Sequence, residues 1–122
     1  MTNPYTEEEL VQIEAAALAA GYDVRRYRVR WIEVVHVGVG DQWALFDPKR
    51  HDGDAFRLQI DCRLTVMVGA QNVVVSAHPG GEAITIIEPL GDNEAAAVRL
   101  AITRAAAALH EYRQKAKEVT CA

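Results

Sequence analysis

Arg25-Arg26-Tyr27-Arg28-Val29-Arg30-Trp31 is the densest concentration of functional side chains in the sequence. Successive side chains of a strand point to opposite faces, so Arg26, Arg28 and Arg30 fall on one face and Arg25, Tyr27, Val29 and Trp31 on the other. A basic row beside aromatic rings can grip a nucleic-acid backbone while Tyr27 or Trp31 stacks on bases. The same row can meet an acidic protein surface. A third reading is a solvated edge strand whose charges oppose aggregation, balanced by Glu7, Glu8, Glu9 and Asp23. The net charge of -4 weighs against nucleic acid.

The groups that catalysis needs are sparse and scattered. Ser76 is the one serine, set in an apolar strand-like run without a Gly-x-Ser-x-Gly elbow, which excludes serine hydrolysis. Cys62 can serve as a nucleophile with His36, His51 or His78 as base, but no local signature joins them and a small buried thiol fits better. Cys62 and Cys121 have neither CxxC nor Cys/His spacing, so no disulfide or zinc framework is expected. Gly38-Val39-Gly40 lacks the third glycine and the helix of a dinucleotide fingerprint, and Pro79-Gly80-Gly81 lacks the Lys and Ser/Thr of a phosphate loop. Both read as turns. His51, Asp52, Asp54, Asp61, His78 and Glu82 would hold a divalent ion only if the fold gathered them, and their spacing gives no support. The expectation is no catalytic residue, no metal and no cofactor.

The elements that must position these residues follow from periodicity. Thr6-Glu7-Glu8-Glu9 matches a capping box, with Tyr5 and Leu10 at the staple positions, and predicts a helix over 7–20 ended by Gly21. From Tyr22 to Pro48 the residues favour strands, with a hairpin turn at Gly38–Asp41. The next stretch fits both a strand, through Phe56, Leu58, Ile60, Cys62, Leu64 and Val66, and a short amphipathic helix. Asp52 and Asp54 as N-cap carboxylates favour a helix over 54–62 and a strand from 64. Runs at 64–68, 72–77 and 82–88 form a meander, and Pro89-Leu90-Gly91-Asp92 breaks the sheet and caps a long final helix. Val98, Ile102, Ala105, Leu109 and Tyr112 are its buried line, with a flexible tail from 115.

The fold class is α+β: a mostly antiparallel sheet with an N-terminal helix, a short middle helix and a long C-terminal helix packed on one side. At 122 residues, half of them apolar, the chain fits a single domain over 1–122. The acidic opening residues offer no export signal, and no apolar run approaches the ~20 residues that cross a bilayer. A cytoplasmic protein without a membrane partner is expected.

Phe46-Asp47-Pro48, then Asp52-Gly53-Asp54-Ala55-Phe56-Arg57-Leu58, and finally Arg99-Leu100-Ala101-Ile102-Thr103-Arg104-Ala105-Ala106-Ala107 carry a resemblance. They resemble small accessory proteins of unknown function from tailed phages and prophages, which have a Trp-Asn-Pro, Asp-Gly-Asp-Ala-Leu-Arg-Leu motif and a closing Arg-x-Ala-Ile-Val-Arg-Ala-Ala-Ala helix. Phe46-Asp47 departs from the Trp-Asn of that pattern. The resemblance implies helical character from Asp54 onward and supplies no activity. By analogy, it implies a non-catalytic protein that binds a host protein, including one of host defence, and inhibits it. On this reading Arg25, Arg26, Tyr27, Arg28, Arg30 and Trp31 form the binding surface. The alternative is a small nucleic-acid-binding module using the same stripe. A homodimer is a further option, through sheet edges or the Ala-rich helix.

Overall fold

The Thr6 side chain accepts a hydrogen bond from Glu9 N–H at 3.1 Å while the Glu9 carboxylate accepts from Thr6 N–H at 3.3 Å. This reciprocal cap starts α1 (Glu7–Ala19) in the computed structural model, which describes the backbone of residues 3–121 and the side chains of residues 3–118. Gly21 follows at a positive φ of 84°, the left-handed conformation anticipated for it. Next come β1 (Val24–Val29), β2 (Ile32–Val39) and β3 (Gln42–Leu45), then α2 (Asp52–Asp61). The chain continues through β4 (Thr65–Val68), β5 (Asn72–Ala77), a 3-10 turn at Pro79–Gly81, β6 (Ile84–Pro89) and α3 (Glu94–Cys121).

The class is α+β, as periodicity indicated, and the strands divide into two antiparallel three-stranded meanders, β1-β2-β3 and β4-β5-β6. The helix α1 packs on the first sheet, α3 packs on the second, and α1 and α3 pack against each other. Alternation on the central strands sets the buried faces: Val35 and Val37 on β2, and Val73, Val75 and Ala77 on β5. Their partners in the core include Leu10, Ile13 and Ala17 of α1, Leu58 of α2, and Ile102, Ala105 and Leu109 of α3. Small Ala101, Ala105 and Ala106 are fully buried and let α3 approach closely.

Several boundaries differ from expectation. The middle helix begins at Asp52, with His51 at its N-cap and no side-chain capping bond, so neither aspartate caps it. Asp54 instead accepts from the N–H of Asp47 at 2.9 Å. At α3 the Asn93 side chain, just beyond Pro89–Asp92, accepts from Ala96 N–H at 3.0 Å. This helix continues to Cys121, through the stretch expected as a tail.

The β3–α2 loop is bonded to the N-terminal segment and to α3. Asp47 is fully buried, and its Oδ2 accepts from the Tyr5 hydroxyl at 2.6 Å and from Arg50 at 3.1 Å. The Arg50 guanidinium also lies 4.7 Å from the Tyr5 ring centre. Arg99 of α3 donates to Lys49 O at 2.8 Å and to Asp52 at 2.7 Å. These contacts form a clasp that joins the N-terminal segment, the β3–α2 loop and α3. The charge-assisted bonds to the fully buried Asp47 carboxylate contribute roughly 1.5–3 kcal/mol at most, whereas the Arg99–Asp52 pair, with the Asp52 side chain 82% exposed, adds little.

Candidate protein interface

The arginine stripe does not hold as a single outward row. Register pairs Val24 with Val37 and Arg26 with Val35, so Arg26 shares the core-facing side of the first sheet with two buried valines. It lies beneath α1, where its guanidinium meets Glu7 at 3.0 Å, Glu14 at 2.7 Å and Glu33 at 3.4 Å. Hydrogen bonds to Glu7 and then Glu14 raise its pKa further above the ordinary arginine value. Arg26 is thus a structural hub. The strand ends at Val29, and Arg30-Trp31 is a two-residue turn, which takes both residues out of the alternation. Arg30 sits at φ 58°, a left-handed conformation that costs a non-glycine residue about 1 kcal/mol. That strained turn holds Arg30 and the exposed Trp31 at the hairpin tip. Arg28 is exposed, and neither it nor Arg30 forms a salt bridge among the described residues.

The opposite face of this sheet is the distinctive surface. Alternation and register assign it Arg25, Tyr27 and Val29 from β1, Ile32, Val34 and His36 from β2, and Trp43 and Leu45 from β3. None of these strand residues is acidic, and the acid on the face is Asp23, whose side chain flanks β1 and lies beside Gly38 and the Trp43 indole. Tyr27, Val29, Trp43 and Leu45 are 39–50% exposed, so no element covers this face among the described residues. Gly38 lies opposite Trp43 and leaves room for the indole across the strand pair. The Arg25 guanidinium is 4.4 Å from the Trp43 ring centre and 5.6 Å from that of Tyr27. Tyr27 stacks on His36 at 4.6 Å with 16° between the planes. Burial, and then the charge of Arg25, push the His36 pKa below its ordinary value, which favours the neutral imidazole.

Of the six residues singled out from sequence, Arg25 and Tyr27 lie on this face, Arg30 and Trp31 at its tip, and Arg26 and Arg28 on the other side of β1. His36, Trp43 and Leu45 were missed. Their signal was available in the alternation of β2 and β3, and needed only the pairing of the strands to become one patch. A second exposed apolar row, Met67-Val74-Ile87, runs across the outer face of the other sheet but carries no aromatic or charged anchor.

Below β3, a cleft of about 260 Å³ opens between the strand and α2, lined by Tyr22, Val37, Ala44, Phe46, Asp54 and Arg57 among others. Tyr22 meets Phe46 edge to face at 5.7 Å and donates its hydroxyl to Asp61. The candidate metal ligands are not brought together: among the described residues there is no group of three or more His, Cys, Asp or Glu able to hold an ion. Cys62 is buried, with its thiol pushed up to about 11 chiefly by burial, while the side chain of Cys121 lies outside the described residues. No helix among the described residues is long and apolar enough to cross a membrane. No protein-family description, no curated protein and no solved structure matches this chain.

Proposed function

We propose that this is a non-catalytic docking protein, and that the outer face of its first sheet binds an acidic, partly apolar surface of another protein. The observation that carries the reading is an uncovered sheet face on which Arg25 lies over Trp43 among half-exposed Tyr27, Val29 and Leu45, with the Asp23 carboxylate at its margin beside Gly38. Trp, Tyr and Arg are the residue types that dominate interface hot spots, and depletion of acids marks interface centres. Nucleic acid fits less well. Arg26 is neutralised by three glutamates, one face of Tyr27 is taken by His36, and Arg25 lies over the Trp43 ring. The non-catalytic part of the reading rests on Asp52 and Asp54, which are engaged in the clasp. The resemblance to phage accessory proteins supports a host protein as partner, with inhibition as the consequence of docking.

The test compares the wild type, Arg25→Glu/Trp43→Ala and the control Met67→Ala/Ile87→Ala as immobilised baits in a lysate of the cell that produces the protein. A defined partner retained by wild type and control, and lost at least about tenfold by the first variant, is expected from hot-spot magnitudes. Identical eluates from all three overturn the proposal. Retention on single-stranded DNA that falls steeply with salt would favour the nucleic-acid alternative instead.

A further inference from the structure

The free edge of β3 lies between two recognition features, the cleft on one side of the sheet and the Arg25–Trp43 pair on the other. We infer that the partner supplies an extended segment that pairs with β3 and becomes a fourth strand of the first sheet, with an apolar side chain in the cleft and a neighbouring carboxylate on Arg25. This inference rests on the docking reading above and specifies its mode.

The backbone of β3 makes the pairing available. Phe46 N–H donates to Val35 O at 2.9 Å, and the β2–β3 register then directs the polar groups of Ala44 toward β2 and those of Trp43 and Leu45 away from it. An incoming strand thus finds the N–H and C=O groups of two residues unpaired, with no proline or charged side chain on β3 to block the edge. Main-chain bonds of this type supply affinity, and alternate side chains supply specificity.

The two sides of the edge set the sequence of the segment. Toward the core, Ala44 is small and leaves open the cleft floored by Tyr22, Val37 and Phe46, which suits an aliphatic side chain. Toward the outer face, the next residue of the segment stands beside Trp43, where the Arg25 guanidinium has no carboxylate within salt-bridge distance among the described residues. A carboxylate on that side meets the Arg25 cation, while the acid on this face, Asp23, lies beside Gly38 at the β1 side of the sheet, away from the free edge of β3. A second copy of this chain fits poorly, because its own β3 offers Gln42, Trp43, Ala44 and Leu45 with no acid, and two-fold pairing would bring Arg25 toward Arg25. The chemistry is that of an acid–aliphatic–acid stretch in a different protein.

The probe is a phage-displayed library of random dodecapeptides panned against the full chain, followed by synthesis of the enriched peptides. Enriched sequences are expected to alternate acidic and aliphatic residues, and to lose at least about tenfold in affinity on Arg25→Glu. N-methylation of alternate peptide amides should abolish binding in one register and leave it intact in the other, because only one row of amides faces β3. Binders that depend on Arg25 and Trp43 but tolerate methylation in both registers overturn edge pairing and leave the docking face standing. Failure to enrich any binder, or binders indifferent to Arg25→Glu/Trp43→Ala, removes both. A dimer in light scattering that Leu45→Pro abolishes would assign the edge to a second copy and overturn the inference.

Discussion

Replacing Arg26 with methionine tests the division of labour between neighbouring arginines, Arg26 half-buried under α1 and Arg28 exposed on the same strand. Arg26 reaches Glu14 at 2.7 Å and Glu33 at 3.4 Å, and these carboxylates are only 27% and 30% exposed. Each partly buried, charge-assisted contact contributes about 1 kcal/mol, while the solvent-facing Glu7 adds little, so Arg26→Met should cost about 2 kcal/mol. For a chain of this size that lowers Tm by roughly 6–12 °C. The control Arg28→Met, at a residue with no salt bridge among the described residues, should change stability by less than about 0.5 kcal/mol. The Glu7 carboxyl is held below its ordinary value by the hydrogen bond from Arg26 and then by its charge. A depressed folded-state pKa gives stability that is present above the unfolded value of 4.5 and disappears as pH falls through the lower folded value. Because Glu7 adds little, the gap between wild type and Arg26→Met should narrow only slightly in acid. Urea titrations followed by circular dichroism at neutral and acidic pH measure both effects. A gap under about 0.5 kcal/mol at pH 7, or one that widens in acid, would refute the hub.

Four other outcomes are expected. Arg30→Gly should raise stability by about 0.5–1 kcal/mol in thermal unfolding, because it relieves the left-handed turn residue; no gain would mean that the turn is unstrained. Asp47→Asn should cost less than about 1 kcal/mol and Asp47→Ala about 2 kcal/mol, since an amide oxygen can still accept from Tyr5 and Arg50 and a methyl group cannot; equal losses would contradict the clasp. Burial, and then the bond to Asp47, push the Tyr5 phenol from 10.0 up to about 12, so its contribution is complete below the unfolded value and lost as pH rises. The stability gap between wild type and Tyr5→Phe should accordingly close between pH 10 and 12, and a gap constant over that span would argue against the bond. In a Cys121→Ser background, Cys62 should react with a thiol reagent at pH 8 at least about a hundredfold more slowly folded than unfolded, as a buried, high-pKa thiol requires; rapid labelling of the folded chain would contradict its burial.

Local signals were the most legible. The capping box at Thr6 and Glu9 needs only residues three apart, and it forms as the sequence indicated. The amphipathic line of α3 likewise contains buried Ile102, Ala105 and Leu109. The arginine stripe illustrates what periodicity misses. Arg25–Val37 contains no Gly, Asn, Asp or Pro to announce a turn, yet the chain reverses at Arg30-Trp31, and alternation beyond Val29 therefore assigned faces that do not exist. The fate of Arg26 depended on a helix that lies earlier in the chain, through Glu7 and Glu14. Asp54 looked like a cap because caps are local, but its carboxylate turns back seven residues to Asp47. The candidate surface combines three strands, so His36, Trp43 and Leu45 acquired meaning only once register was known.

Site-specific photocrosslinking from the centre of the outer face tests the docking claim most directly. Benzoylphenylalanine is introduced at position 36, and as a control at position 76 on the outer face of the second sheet, in the cell that produces the protein. One discrete heavier adduct from position 36, lost on adding Arg25→Glu, is the expected result. No adduct from position 36, or the same adduct from both positions, would contradict the assignment of this face as the interface.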